Sequence, residues 1–213
     1  GWLADLKTAE LDATRDYRLR LSVWRSGALG YAPETRASVE WEVTAVPIDG
    51  TLYPVPVLRP ELGLFQDHRK SAGILSNVKT SSAVLYVLAA GFAGEQHVDE
   101  VLILNHENQV LEASKSNVML VQGSELITPP LSSGALRGVM REVVLGLAPQ
   151  LGLDIREEVF SPFALQSAEE VWLTNAVHGV ASVQKFRKTE YGSVRAEAMQ
   201  KLVIDRAQKA QFQ

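Results

Sequence analysis

The 213-residue sequence contains no cysteine. That excludes disulfides, thiolate zinc sites and cysteine nucleophiles together, and it suits a reducing cytosol, so a cytoplasmic location is expected. Long apolar runs are also missing: the best candidates, residues 83–93 and 143–153, fall short of the about 18 residues that a membrane-crossing helix needs. No basic-then-apolar leader is read in these residues, and no membrane partner is expected. An excess of one sign of charge is nearly lacking. The 21 basic residues are scattered among 25 acidic ones for a net charge of −4, which argues against a nucleic-acid partner. HExxH, GxSxG, GxGxxG and P-loop sequences do not occur, and His68, His97, His106 and His178 lack metal-ligand spacing, so neither a metal nor a serine-hydrolase mechanism is expected. What remains is a composition of 46% hydrophobic and 22% charged residues, that of a globular chain able to bury one good core or two modest ones.

Strand periodicity dominates what is present. In "YRLRLSVWR" (17–25), Leu19, Leu21 and Val23 alternate with Arg18, Arg20 and Ser22, and "SVEWEVTAV" (38–46) repeats the period of two, so both read as strands of a half-buried sheet. Gly27, Gly30, Pro33 and Glu34 supply a turn between them, and the glycine and prolines of "DGTLYPVP" (49–56) place a domain boundary near 53–56. Beyond it, 79–92 reads as a helix, 99–105, 109–114, 117–123 and 125–130 as short strands, and 134–152 as a helix capped by Ser132 or Ser133 and ended by Gly152. Strands at 154–160, 169–175 and 179–186 and a final amphipathic helix at 194–211 complete the series. Residues 1–50 offer too few elements for a stable domain, so part of the first domain is expected to lie outside this chain.

Four stretches could carry chemistry. Lys79 stands before small and apolar residues at the expected start of a helix, where the partial positive charge and neighbours such as Val78, Val84 and Leu85 disfavour an ammonium. A neutral amine there can attack a carbonyl; the plainer alternative is a surface lysine with its stem on the core. Glu112, flanked by Val110, Leu111 and Ala113, is either drawn inward, where it needs a cation or hydrogen bonds, or a solvent-facing residue of an edge strand. In "SSGALRGVMRE" (132–142), Gly138 permits close backbone approach to a ligand and the first-turn N–H groups of Val139 and Met140 suit a phosphate; helix starts of this kind are common. "LTNAVHGV" (173–180) fits a second phosphate contact or an ordinary loop.

Taken in order, "VKTSSAVLYVLAA", "VDEVLILNHENQVLEASKSNVMLVQGSELITPPLSSGALRGVMREVV" and "AEEVWLTNAVHGVASV" resemble the pyridoxal-phosphate enzymes of fold type IV, the class IV aminotransferase family. That family includes branched-chain and D-amino-acid aminotransferases and 4-amino-4-deoxychorismate lyase. The resemblance implies a two-domain α/β (α+β) protein whose small N-terminal domain is incomplete here, with residues 1–52 its remainder, 53–56 a linker and 57–213 the large cofactor-binding domain. It implies that Lys79 is the catalytic Schiff-base lysine and that Glu112 faces the pyridine nitrogen of pyridoxal 5'-phosphate. Val139 and Met140 match the phosphate-binding N–H pair, Leu136 the apolar residue on the ring, Asn175 and Ala176 the second phosphate-side turn, and Ser116 and Asn117 the strand bordering the cofactor. Relatives carry Asn or Tyr shortly after the lysine, where this chain has Ser81 and Ser82; the phosphate-binding arginine of the front segment maps onto none of Arg18, Arg20 and Arg25. The implied activity is transfer of an amino group between an amino acid and a 2-oxo acid by a homodimer. The alternatives are release of pyruvate from aminodeoxychorismate, or a scaffold that binds cofactor without turnover.

Overall fold

The structure, a computed structural model, describes residues 11–12, 15–27, 38–48 and 53–210. The chain divides into two compact units, Gly1–Leu52 and Tyr53–Gln213. In the first, β1 (Tyr17–Arg25) and β2 (Val39–Pro47) pair antiparallel, Tyr17 opposite Pro47 and Arg25 opposite Val39. Leu19, Leu21 and Val23 were expected on a half-buried face, yet they are exposed: among the described residues of this unit, the two paired strands have no second layer packed on them. The turn expected at Gly30, Pro33 and Glu34 and the loop at 49–52 lie outside the described residues.

The second unit is built of layers. One five-stranded sheet runs β10-β9-β6-β7-β8, with β6 at Asn117–Gln122, β7 at Glu125–Thr128, β8 at Asp154–Glu157, β9 at Glu170–Asn175 and β10 at Gly179–Ser182. The other runs β12-β11-β3-β4-β5, with β3 at Glu61–Leu64, β4 at Glu100–Leu104, β5 at Val110–Ala113, β11 at Lys185–Phe186 and β12 at Thr189–Glu190. Apolar side chains of both sheets, among them Leu102, Val110, Val118, Leu120 and Leu173, meet in one buried cluster. The outer face of the β4 sheet packs Val101 and Ile103 against Ala89 and Ala93 of helix α1 (Val84–Glu95). The outer face of the β6 sheet packs Met119 and Trp172 against α2 (Val139–Leu147) and α3 (Val194–Ala210). Apolar residues run without a break over Val118–Val121 of β6 and Val171–Leu173 of β9, because alternate positions join different clusters and both faces are covered.

The helices depart from expectation where polar or special residues intervene. The helix predicted from residue 79 begins only at Val84, and Lys79 lies in the preceding loop. The Ala83 amide turns back to the Ser81 carbonyl (2.9 Å), and Thr80, Ser81 and Ser82 are of residue types that favour turns over helix interiors. Only the middle of the predicted 134–152 helix is α-helical. Gly134 has φ 108°, and Gly138 is an extended N-cap (φ −75°, ψ 136°). Pro149 starts a tighter turn at Ala148–Leu151 that Gly152 closes with φ 67°. Neither Ser132 nor Ser133 caps α2; Ser133 Oγ donates to the Pro130 carbonyl (2.7 Å) instead. The strand expected over 179–186 divides into β10 and β11, which join different sheets.

Candidate active site

Glu112 sits on β5 opposite Ile103, facing α1, and is 1% exposed. Burial of a carboxylate requires partners, and it has three. Its Oε1 accepts from Lys70 Nζ (2.7 Å) and the Tyr86 hydroxyl (2.6 Å), and its Oε2 accepts from the Leu136 amide (2.7 Å). Burial, and secondarily the adjacent carboxylate, push the Tyr86 hydroxyl well above its ordinary value, so it stays a donor. A carboxylate offers about four acceptor directions, which leaves one on Oε2.

Leu136 ties Glu112 to the start of α2. Its carbonyl accepts from Asn117 Nδ2 (2.8 Å) and the Gly138 amide (3.0 Å). Asn117 also explains Gly138: a Cβ there would lie 2.0 Å from Asn117 Oδ1. The absence of a side chain at 138 therefore makes room for Asn117. After Gly138, the amides of Val139 and Met140 have no intrahelical acceptors. Thr174 is paired with Asn117 and shares its sheet face; it is 1% exposed and its Oγ1 has no hydrogen-bond partner. An orphaned buried hydroxyl beside a helix N-terminus is an incomplete arrangement that an anionic group would complete.

The other expected residues fall into two groups. Ser116 Oγ donates to Glu100 Oε1 (2.9 Å) and accepts from Asn175 Nδ2 (3.1 Å). Asn175 Oδ1 also accepts the amides of Val177 and His178, while the Ala176 carbonyl accepts from Tyr53 (3.3 Å). These residues order the loop after β9. Lys79, by contrast, is exposed and makes no hydrogen bond or ion pair among the described residues. Its loop is nevertheless fastened to the site. Asn77 Nδ2 donates to the carbonyls of Leu131 (2.8 Å) and Ala135 (2.6 Å), and its own carbonyl accepts from the Arg137 amide (3.1 Å). Lys79 follows two residues later, within about 7 Å of chain.

Sequence reasoning missed Lys70, Tyr86 and Thr174. Tyr86 is the single hydroxyl on an otherwise apolar helix, a signal that could have found it; Lys70 in "DHRKSAG" carries none. Two surface cavities, about 290 Å³ beside Phe92 and Arg187 and about 320 Å³ between Leu147 and Asp205, contain none of these residues.

The family model for amino-transferase class IV matches residues 4–186. A probable branched-chain-amino-acid aminotransferase of Thermotoga maritima is 40% identical over 106 residues, 47% of this chain and 39% of that protein. The aminodeoxychorismate lyase of Bacillus subtilis is 33% identical over 105 residues, 49% of this chain and 36% of that protein. An aminotransferase from Brucella abortus, solved with PLP bound, superposes with a TM-score of 0.78 at 21% identity over 93% of this chain and 72% of that one, which shows the common fold. The chain thus spans well under half the length of these two curated relatives. Among the described residues no helix is long and apolar enough to cross a membrane. With a match that runs through most of its length and through every stretch that builds the site, the chain belongs to the amino-transferase class IV family.

Proposed function

We propose that this chain carries the cofactor-binding part of a pyridoxal-phosphate-dependent aminotransferase acting on an amino acid and a 2-oxo acid. The observation that carries the reading is the buried Glu112, linked through Leu136 to a helix start with two free amides and an orphaned hydroxyl. The donor set fits the cofactor. The amides of Val139 and Met140 and the Thr174 hydroxyl suit its phosphate, Glu112 Oε2 suits a protonated ring nitrogen, and Lys79 supplies the amine for its aldehyde. When bound, the cofactor supplies an electron sink for negative charge at the substrate Cα. Glu112 holds the proton on the ring nitrogen that makes the sink effective. Lys79 Nζ moves the proton at the substrate Cα, as a positioned general base does. Ser116, Asn117, Asn175 and Ala176 order the surrounding backbone, and Leu136 shields one side.

Incubation with pyridoxal phosphate, borohydride reduction and peptide mapping test the assignment. The label is expected on Lys79 and absent in Lys79→Ala; a label on Lys70 instead, or none, refutes it, the latter favouring a scaffold without turnover. Similarity to a lyase at 33% identity supports a second reading, release of pyruvate from aminodeoxychorismate. Amino-group transfer from branched-chain donors to 2-oxoglutarate separates the two. Homodimerisation belongs to the same proposal and is supported by the exposed apolar side chains of Ile74, Leu75, Val84 and Val87; light scattering checks it.

A further inference from the structure

Lys70 occupies a position that nothing so far explains. Its amide donates to the Leu104 carbonyl (2.9 Å), which fixes its backbone at the end of β4. Its side chain is 10% exposed, and its Nζ donates to both Glu112 Oε1 (2.7 Å) and the Ser76 carbonyl (3.0 Å), 5.6 Å from the Tyr86 ring centre. One ammonium thus joins β5, α1 and the loop that leads to Lys79. That loop has few other ties. Ser71 to Leu75 are exposed, Ile74 at 92%, and among the described residues its other side-chain anchors to neighbouring elements are Ser71, whose Oγ pairs with His106 Nε2 (3.1 Å), and Asn77.

We propose that Lys70 is a positioning residue whose ammonium couples the 71–79 loop to Glu112, so that the loop presenting Lys79 and the buried carboxylate are set as one unit before any cofactor arrives. Its purpose rests on the reading of Lys79 above; the coupling itself does not. Lys70 and Tyr86 share Oε1, while Oε2 keeps a free acceptor direction beside the Leu136 amide. The clamp therefore need not open for Glu112 to accept a further donor. A lysine suits this task because one compact charge can serve two acceptors while packing its stem and lying near an aromatic ring.

Hydrogen exchange on the cofactor-free protein tests the coupling. The Ser76 and Val78 amides, bonded to the carbonyls of Gly73 (3.0 Å) and Leu75 (3.2 Å), are expected to exchange about tenfold faster in Lys70→Met, with β6 and α3 unchanged. Lys70→Arg, which keeps a cation with donors for both acceptors, is expected to restore much of the protection. Lys70→Met leaves Glu112 buried without a cation and can fail to fold. The double variant Lys70→Met/Glu112→Leu removes both charges, keeps apolar volume and is expected to fold with the same loosened loop. Unchanged exchange of Ser76 and Val78 in either folded variant overturns the proposal, as does Lys70→Arg exchanging as fast as Lys70→Met. A loosened loop in a protein whose Lys79 takes no pyridoxal label supports the coupling and refutes the cofactor assignment.

Discussion

Replacing Gly138 by alanine puts a methyl group where Asn117 already is. The added Cβ would lie 2.0 Å from Asn117 Oδ1 and 3.3 Å from its Cγ, so the amide must move. Gly138 itself, at φ −75° and ψ 136°, lies in a region open to every L-residue, so the backbone contributes no strain. Asn117 is 6% exposed, and rotating it breaks its bond to the Leu136 carbonyl and strands its amide, a cost of about 1–3 kcal/mol. Crowding of a packed site adds about 1–3 kcal/mol, so Gly138→Ala is expected to destabilise by about 3 kcal/mol. Asn117→Ala should cost about 1 kcal/mol, because Leu136 still accepts from the Gly138 amide. In that background the methyl group has room, and Gly138→Ala should cost almost nothing. The double-mutant cycle therefore predicts a coupling of about 2 kcal/mol or more, measured by urea denaturation with m-values checked for constancy. A penalty for Gly138→Ala within about 0.5 kcal/mol of zero, or the same penalty in both backgrounds, refutes the steric account.

Three further outcomes follow from the same structure. Burial raises the Glu100 carboxyl above its ordinary 4.5, outweighing the bonds from Ser116 and Lys115, so the folded protein binds this proton more tightly than the unfolded chain. Its contribution is full below 4.5 and is lost as pH rises through the raised value; Glu100→Gln should lack that decline, and a wild-type-to-variant stability gap constant with pH refutes the assignment. Arg141 is buried and donates to Glu157 (2.6 Å) and to the Pro129 carbonyl (3.2 Å), whereas Glu157 is half exposed. Glu157→Ala, which leaves the buried cation with only the longer contact to Glu142 (3.4 Å) and the Pro129 carbonyl, should therefore cost about 1–3 kcal/mol and more than Arg141→Met, and thermal melts giving the reverse order contradict this. Thr174→Val removes an unpaired buried hydroxyl and should leave stability unchanged or up to about 1 kcal/mol higher, while weakening pyridoxal phosphate binding in a fluorescence titration; unchanged affinity removes Thr174 from the site.

The alternation in 17–25 and 38–46 and the turn residues between the short strands were legible, because each depends on neighbours two or three positions away. So was the family, through the order of its stretches. Whether Glu112 faces inward or toward solvent was not, since Val110, Leu111 and Ala113 allow both and only the packing of α1 over β5 buries it. The start of α1 was not either, since propensity along an apolar run said little about where Thr80 to Ser82 would hold the backbone out of the helix. Nor was the meaning of Gly138, which depends on a side chain 21 positions earlier; glycine alone does not say whether ligand or protein fills the space.

By itself the amino-acid sequence determined which residue types stand at each position of the strands, which of them alternate toward a core, and that an amine, a carboxylate and a glycine-preceded helix start occur in a given order. Only the tertiary structure decided which of these meet. Lys70 and Glu112 are 42 positions apart and Thr174 and Asn117 lie on separate strands, so their proximity is set by sheet register and by which face each helix covers. It is set, too, by the need of every buried charge for a partner, a demand that acts through space and leaves no trace in local periodicity.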